Sequence, residues 1–128
     1  MKGESMYKKK LCALSMLLMT TSVLADVRDE IVKSFDVGER AELRLENING
    51  EVEITSWQQE KIKVVATIKA DDQKSRDRIT VKMKQHGEQV DVSTHYEKSY
   101  NYKNNNSGQV SYQVWLPAST NLSDIELV

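Results

Sequence analysis

The chain has 128 residues, enough for one domain, and 18 basic residues almost balance 19 acidic ones. A net charge of −1 leaves no basic surface of the kind that binds nucleic acid or anionic lipid. The one cysteine, Cys12, lies near the start, so the rest of the chain has no disulfide and no thiolate metal ligand.

The first 25 residues have the pattern of an export signal. Lysines at 8–10 are followed by the apolar run Leu11–Ala25, which ends in the small residues of a cleavage site. We expect cleavage between Ala25 and Asp26, whether translation starts at Met1 or at Met6.

An uncleaved membrane anchor is the alternative reading of this run. The run is shorter than the ~20 residues that a membrane-spanning helix needs, so we expect no stable span after cleavage. Cys12 stands at the beginning of the run rather than at its end, which argues against lipid attachment. Residues 26–128 would then form a single exported domain of net charge −4, in the periplasm or at the surface of a bacterium.

Apolar and polar residues alternate with period two through most of residues 26–128. The runs are Leu43–Leu45, Val52–Ile54, Ile62–Ile68, Ile79–Met83, Val90–Val92 and Val110–Leu116. Such alternation gives each strand one buried and one wet face. It predicts an all-β fold of short strands, either antiparallel or a solenoid-like stack of the β-helix or β-roll type.

The turn residues fall between these runs. Asn49-Gly50 predicts a type I′ hairpin, whose two central residues both need positive φ. A second turn is expected at His86–Glu88. The segment 71–78 has no apolar stripe and predicts a short exposed helix or a loop, with Asp71 or Asp72 as its N-cap.

A long polar segment at 97–108 follows, and loops of this length are often functional or disordered. Its tyrosines and asparagines suit contact with a glycan or an envelope protein, because tyrosine gives a large contact area at low entropic cost. The alternative is that the tyrosines fold back onto the sheet. The candidate contact surface consists of Tyr96, Tyr100, Tyr102, Asn104, Asn105 and Asn106.

No set of residues predicts catalysis, a metal site or a cofactor. The glutamates that flank the Asn-Gly pair are expected on wet strand faces as solvated charges rather than as a catalytic pair, which needs a desolvating pocket. The two histidines, His86 and His95, match no metal-site spacing. Trp57 and Trp115 are expected to pack, although sugar-stacking platforms are the alternative. The four glutamates are Glu42, Glu46, Glu51 and Glu53.

The order of several motifs resembles the bacterial putative-adhesin group, also called domain of unknown function 4097. The motifs are Phe35–Val37, Leu43–Ile54 with its Asn-Gly pair, Trp57, Ile62–Val64 and Val114–Leu122 with its Leu-Pro-Ala. The resemblance covers residues 31–128. It implies a solenoid-like β stack in which Asn49 and Gly50 are structural turn residues, and a role as a non-catalytic envelope scaffold for adhesion or assembly.

Residues 123–128 can be laid on residues 44–48, and a second Asn-Gly would follow if the pattern continued. Members of the group usually continue through further strands, so the chain is expected to be a natural short form or a truncated product. Its last strand would then be an open edge that pairs with another copy or another chain. An exported carboxylate-based glycan-processing enzyme and a non-functional fragment are the alternative functions.

Overall fold

A computed structural model of the chain describes residues 26–97 and 108–127. These residues form eight strands and one short helix. In chain order the elements are β1 (Val27–Asp36), β2 (Glu42–Asn47), β3 (Val52–Trp57), β4 (Lys61–Ala70), α1 (Gln73–Asp77), β5 (Ile79–His86), β6 (Gln89–Tyr96), β7 (Gly108–Pro117) and β8 (Asn121–Leu127).

The strands form two four-stranded sheets that pack around one hydrophobic core. Sheet A has the order β1-β4-β7-β3, and sheet B has the order β5-β6-β2-β8. Both sheets contribute fully buried side chains, such as Ile62 and Val64 from sheet A and Leu43 and Val90 from sheet B. The alternating runs of the sequence supply this core, because each points every second side chain inward.

The all-β prediction is confirmed, but the sheets are mixed rather than antiparallel. Pairs β1–β4, β4–β7 and β5–β6 are antiparallel, whereas β2–β6, β2–β8 and β3–β7 are parallel. Neither sheet closes on itself among the described residues, and a solenoid-like stack is not confirmed.

The first strand, β1, lies outside the alternating runs that the sequence predicted. Its core-facing register positions are 27, 29, 31, 33 and 35, and two of these are the charged residues Asp29 and Lys33. Apolar side chains therefore reach the core only at every fourth residue, Val27, Ile31 and Phe35. Because this spacing lacks the two-residue alternation of a strand, the sequence pattern did not predict β1.

The predicted Asn49-Gly50 hairpin is wrong. Strands β2 and β3 belong to different sheets and do not pair, so the segment between them is a crossing. The backbone of this segment bonds to β7 instead: the Val110 N–H donates to the Asn49 carbonyl at 3.0 Å, and the Tyr112 N–H donates to the Glu51 carbonyl at 2.8 Å. Tertiary contacts with β7 thus replace the local pairing that a hairpin would have made.

The other predicted turn is a hairpin. Strands β5 and β6 pair antiparallel up to His86 and Gln89, and Gly87 in the two-residue connection has φ 62°. Helix α1 lies within the predicted segment 71–78, and Asp72 is its N-cap, accepting a hydrogen bond from the Ser75 N–H at 2.7 Å. None of the helices in the described ranges has the length and hydropathy that crossing a bilayer requires.

The two ends of the sandwich differ. At the β1/β5 end the connections hold the sheets together: Gln85 Nε2 donates to the Asp36 carbonyl at 2.7 Å, and the Gly38 N–H donates to Glu88 Oε2 at 2.7 Å. Arg76 of α1 pairs there with Asp29 of β1 at 2.5 Å. At the other end lie the edge strands β3 and β8, which make no pair beyond β7 and β2 among the described residues.

Candidate functional site

Most of the predicted contact surface lies outside the described residues. This applies to Tyr100, Tyr102 and the asparagines 104–106. Tyr96 is described and is the last residue of β6. Its ring is half-buried, its hydroxyl lies 3.5 Å from the Asn49 carbonyl, and burial raises its pKa. Tyr96 therefore packs against the β2–β3 crossing.

A buried chain of hydrogen bonds links the two sheets below Tyr96. Asn47 Nδ2 donates to the Val110 carbonyl at 3.0 Å, and Asn47 Oδ1 can only accept, so Thr94 Oγ1 donates to it at 3.2 Å. The Tyr112 hydroxyl must then donate to Thr94 Oγ1. Burial raises the pKa of Tyr112 to about 12, which keeps the phenol protonated as this direction requires.

This chain was not predicted from the sequence, although a signal for it exists. Asn47 continues the inward positions of Leu43 and Leu45, so the alternation places a polar side chain in the core. Both polar atoms of the Asn47 side chain have a hydrogen-bond partner in the structure, which makes it a fixed structural link rather than a reactive site.

Asn49 and Gly50, which the sequence predicted as a structural turn, make contacts that hold the β2–β3 crossing against β7. Asn49 Nδ2 donates to the Gly108 carbonyl at 3.2 Å, next to the bond that Asn47 makes with Val110. Gly50 has φ 131°, and a Cβ there would lie 1.9 Å from the Val110 carbonyl oxygen. Both residues therefore fix the approach of the crossing to β7.

The two tryptophans form a pair on the outer face of sheet A. Their ring centroids are 6.4 Å apart with an angle of 36° between the planes, and both side chains are partly exposed. Trp57 Nε1 donates to the Lys61 carbonyl at 2.7 Å, and the Lys63 ammonium lies 5.3 Å from the Trp115 ring centroid. These contacts agree with the predicted packing role, because the N–H of Trp57 and one ring face of Trp115 already have partners within the chain.

The carboxylates of β2 and β3 lie on outer faces or in the adjoining crossing. Glu46, Glu51 and Glu53 are exposed, and Glu42 accepts a hydrogen bond from Ser123 Oγ at 2.5 Å. In residues 26–97 and 108–127 no three His, Asp or Glu side chains are grouped as a metal site would require.

The surface of the described part includes hollows next to the crossing and on sheet B. One, of about 450 Å³, lies where the described ranges begin, between Asp26, Asn49 and Gly108. Another, of about 220 Å³, lies on the outer face of sheet B and crosses β6, β2 and β8. Its charged residues are Arg44, Glu46, Asp91, Asp124 and Glu126, so the face is acidic towards β8.

The open end at β3 and β8 is the most unusual surface of the described chain. Val52 and Ile54 of β3 are only half-buried, although they pair in register with the core positions Tyr112 and Val114. We call the incompletely buried apolar residues on the inner faces of β3 and β8 the open-end cluster. Its members are Val52, Ile54, Leu122, Ile125 and Leu127.

The β8 part of the cluster is even less covered. Leu122 and Ile125 lie beside the buried Leu43 and Leu45, so they face inward, yet Leu122 is 45% exposed. Leu127, beside the buried Asn47, is 58% exposed. Five apolar side chains thus point into the sandwich at an end that nothing in the described residues covers.

Comparisons with known proteins give no assigned family. No protein-family model matches the chain, and a search of curated proteins found no match. A putative cell adhesion protein from Clostridium sporogenes ATCC 15579 is 17% identical with a TM-score of 0.46, and the match covers 79% of this chain and 47% of that one. A putative adhesin from Parabacteroides distasonis ATCC 8503 is 10% identical with a TM-score of 0.34, and the match covers 69% of this chain and 32% of that one.

The chain therefore spans less than half the length of either solved structure. Both TM-scores are low, so membership of the putative-adhesin group stays a prediction from the sequence motifs.

Proposed function

We propose that the chain is a non-catalytic β-module of the bacterial cell envelope, exported by its leader, that binds through its surface in adhesion or assembly. Membership of the putative-adhesin group and the absence of a cofactor belong to the same proposal. The observation that carries it is the open-end cluster on two neighbouring edge strands.

Edge strands present unpaired N–H and C=O groups, and proteins protect them by several means, among them β-bulges and charges that point inward. Strand β1 has inward charges in Asp29 and Lys33, whose register positions face the core. Strand β8 has an irregular register near Leu122, before the segment Asp124–Leu127. It has Leu122, Ile125 and Leu127 at the positions equivalent to the inward charges of β1. An edge that is apolar on its inner side is suited to pairing with a further strand.

The solenoid-like winding is part of this proposal. The chain passes from sheet B to sheet A between β2 and β3, and it passes back from sheet A to sheet B between β7 and β8. Strand β8 then runs parallel to β2, as β3 runs parallel to β7. A further strand that continues this winding would lie on the open-end cluster.

Export is tested by expressing the full chain with its own leader in a bacterium and fractionating the cells. We expect a processed form whose mass corresponds to residues 26–128, recovered from the periplasm or the cell surface. An unprocessed chain in the cytoplasm would contradict the proposal.

Binding is tested by immobilising the purified chain and measuring capture of envelope proteins and cell-wall glycans. We expect the variant Leu122→Ser/Leu127→Ser to capture less than the parent chain, because it makes the open-end cluster polar. Val32→Ser is the matched control, since Val32 is 52% exposed but lies on the outer face of β1. Equal capture by all three proteins would contradict a role for the open end.

A further inference from the structure

Resting on the proposed function, we propose that the partner of the open edge of sheet B is a second copy of this chain, which adds its β5 antiparallel to β8. The two strands are the opposite edges of the same sheet, so the contact joins unlike surfaces and repeats head to tail. The outer charges of sheet B and the inner apolar positions of both edges support this pairing.

The first observation is a row of alternating charges across the outer face of sheet B. Lys84 of β5 pairs with Asp91 of β6, Asp91 pairs with Arg44 of β2, and Arg44 pairs with Asp124 of β8. The row therefore begins with a cation at one edge and ends with an anion at the other. The Lys84 of a second copy, placed beside Asp124, continues the alternation.

The next row also begins with a cation on β5 and ends with an anion on β8. Lys82 of β5 pairs with Ser93, Ser93 with Glu46, and Glu46 with Glu126 of β8. Glu46 and Glu126 are like charges side by side, which is unfavourable in an isolated sheet. The Lys82 of a second copy beside Glu126 would offset this repulsion.

Both rows fit one register. In an antiparallel pair, moving two residues forward on one strand means moving two residues back on the other. Placing Lys84 opposite Asp124 therefore places Lys82 opposite Glu126 without a shift.

The inner face agrees with the same register. It places Met83 opposite Ile125 and Val81 opposite Leu127, which joins half-buried or exposed apolar residues of the two edges. Each of these side chains lies beside a core position of its own sheet, and the contact would extend the core from one copy to the next.

The charges also select against the symmetric alternatives. Two β5 edges would bring lysines together, and two β8 edges would bring carboxylates together, so pairing of like edges is disfavoured. In sheet A the inward charges Asp29 and Lys33 protect β1, which disfavours the corresponding head-to-tail contact between β3 and β1. A heterologous contact of this kind builds rings or open chains rather than a closed two-fold dimer.

The first test is charge reversal in the full chain expressed with its own leader. Sedimentation at low ionic strength should show concentration-dependent oligomers of the parent chain that dissociate as salt is added. We expect Lys82→Glu/Lys84→Glu and Asp124→Lys/Glu126→Lys each to weaken self-association by about tenfold or more. Lys69→Glu/Lys74→Glu, the same charge change at exposed sites outside sheet B, should leave self-association close to that of the parent chain.

Mixing the two reversed variants should restore association, because each then offers the edge charge that the other lacks. This restoration also shows that both variants are folded. A parent chain that stays monomeric at every concentration and salt level, or a mixture that does not associate, would overturn the proposal.

The second test fixes the register with cysteines, in a Cys12→Ser background. Lys84→Cys and Asp124→Cys in one chain lie three strand spacings apart, about 14 Å, too far for a disulfide within one molecule. Mild oxidation should give a ladder of linked multimers, whereas each single cysteine variant should give at most a dimer. A double variant that stops at dimers would overturn the head-to-tail pairing.

Failure of this inference is distinguishable from failure of the proposed function. If the chain is monomeric but the Leu122→Ser/Leu127→Ser variant still loses envelope capture, the open end binds a different protein. If the chain assembles but is found unprocessed in the cytoplasm, the pairing stands and the envelope role is wrong.

Discussion

Gly50 is the residue on which the geometry of the β2–β3 crossing depends most. Its φ of 131° is in a region that residues with a side chain rarely adopt, and its Cα lies against the backbone of Val110. Gly87, in the β5–β6 hairpin, also has a positive φ, but a Cβ there would meet nothing within 4 Å. A side chain at position 87 would therefore introduce backbone strain alone, whereas a side chain at position 50 would introduce strain and a close contact with β7.

We predict that Gly50→Ala lowers the free energy of unfolding by about 3 kcal/mol or more, because the methyl group would displace β7 as well as strain the backbone. Gly87→Ala should cost about 1–2 kcal/mol from strain alone. Urea unfolding of both variants measures the difference. Equal losses would show that the contact with Val110 does not constrain position 50.

Tyr112 gives the second residue-level prediction, which concerns stability at high pH. Burial raises the pKa of Tyr112 from 10 to about 12, so the folded state keeps a proton that the unfolded state loses. The contribution of the Tyr112 phenol to the free energy of unfolding is then fully present below pH 10 and falls as pH rises from 10 towards 12. Urea midpoints measured through this range should fall less steeply in Tyr112→Phe than in the parent chain.

Thr94→Val tests the central position of Thr94 in the same hydrogen-bond chain. It leaves the Tyr112 hydroxyl and Asn47 Oδ1 buried without partners, at a cost of about 2–4 kcal/mol, whereas Tyr112→Phe removes one terminal group and costs about 1 kcal/mol. Urea unfolding at neutral pH should rank the two variants in this order. The reverse order would contradict the central position of Thr94 between Asn47 and Tyr112.

At the scale of the elements, the edges of the sheets carry most of the information about assembly. Strand β1 faces the core with Asp29 and Lys33, and Asp29 is paired with Arg76 of α1, which also donates to the Ile79 carbonyl at 2.9 Å. This short helix thereby ties the β1 edge to the start of β5. No comparable element covers β3 or β8 in the described ranges.

Helix α1 gives the element-level prediction. Hydrogen bonds from Ser75 lower the pKa of Asp72, so its carboxylate stabilises the fold above pH 3.8, and this contribution is lost as pH falls through the lowered pKa. Asp72→Ala should therefore lower the urea midpoint at neutral pH, and the difference from the parent chain should disappear in acid. Asp71→Ala is the control, because Asp71 does not cap the helix; an equal loss in that variant would contradict the assignment.

At the scale of the whole molecule, hydrogen bonds of Gln85 and Glu88 join the two sheets at the β1/β5 end, whereas the open-end cluster lies at the β3/β8 end. Among the described residues, the outer edges of β5 and β8 both lack a strand partner. The proposed contact would join the β8 edge of one copy to the β5 edge of the next. Association that involves only the folded state stabilises it by mass action.

We predict that the melting temperature of the parent chain rises with protein concentration at low salt. The rise should be absent in Lys82→Glu/Lys84→Glu, because reversing the charges removes the contact between copies. Differential scanning calorimetry over a wide concentration range measures both. A melting temperature that is independent of concentration in the parent chain would contradict association in the folded state.

The sequence alone determined the strands whose alternation is regular, including β2, β4 and β7, because a period of two requires only that one face be buried. It also placed the β5–β6 hairpin at Gly87 and the helix near Asp72, since both depend on local backbone preferences.

Only the tertiary structure determined the partner of each strand. Asn49-Gly50 has the local chemistry of a hairpin, yet its asparagine bonds to Gly108, which is 59 residues away, and its glycine packs against Val110. The rows of charge in sheet B likewise combine the β5–β6 hairpin with β2 and β8, which are far from the hairpin and from each other in sequence. Local preference cannot specify such pairings, because they depend on which buried faces meet when the two sheets close on one core.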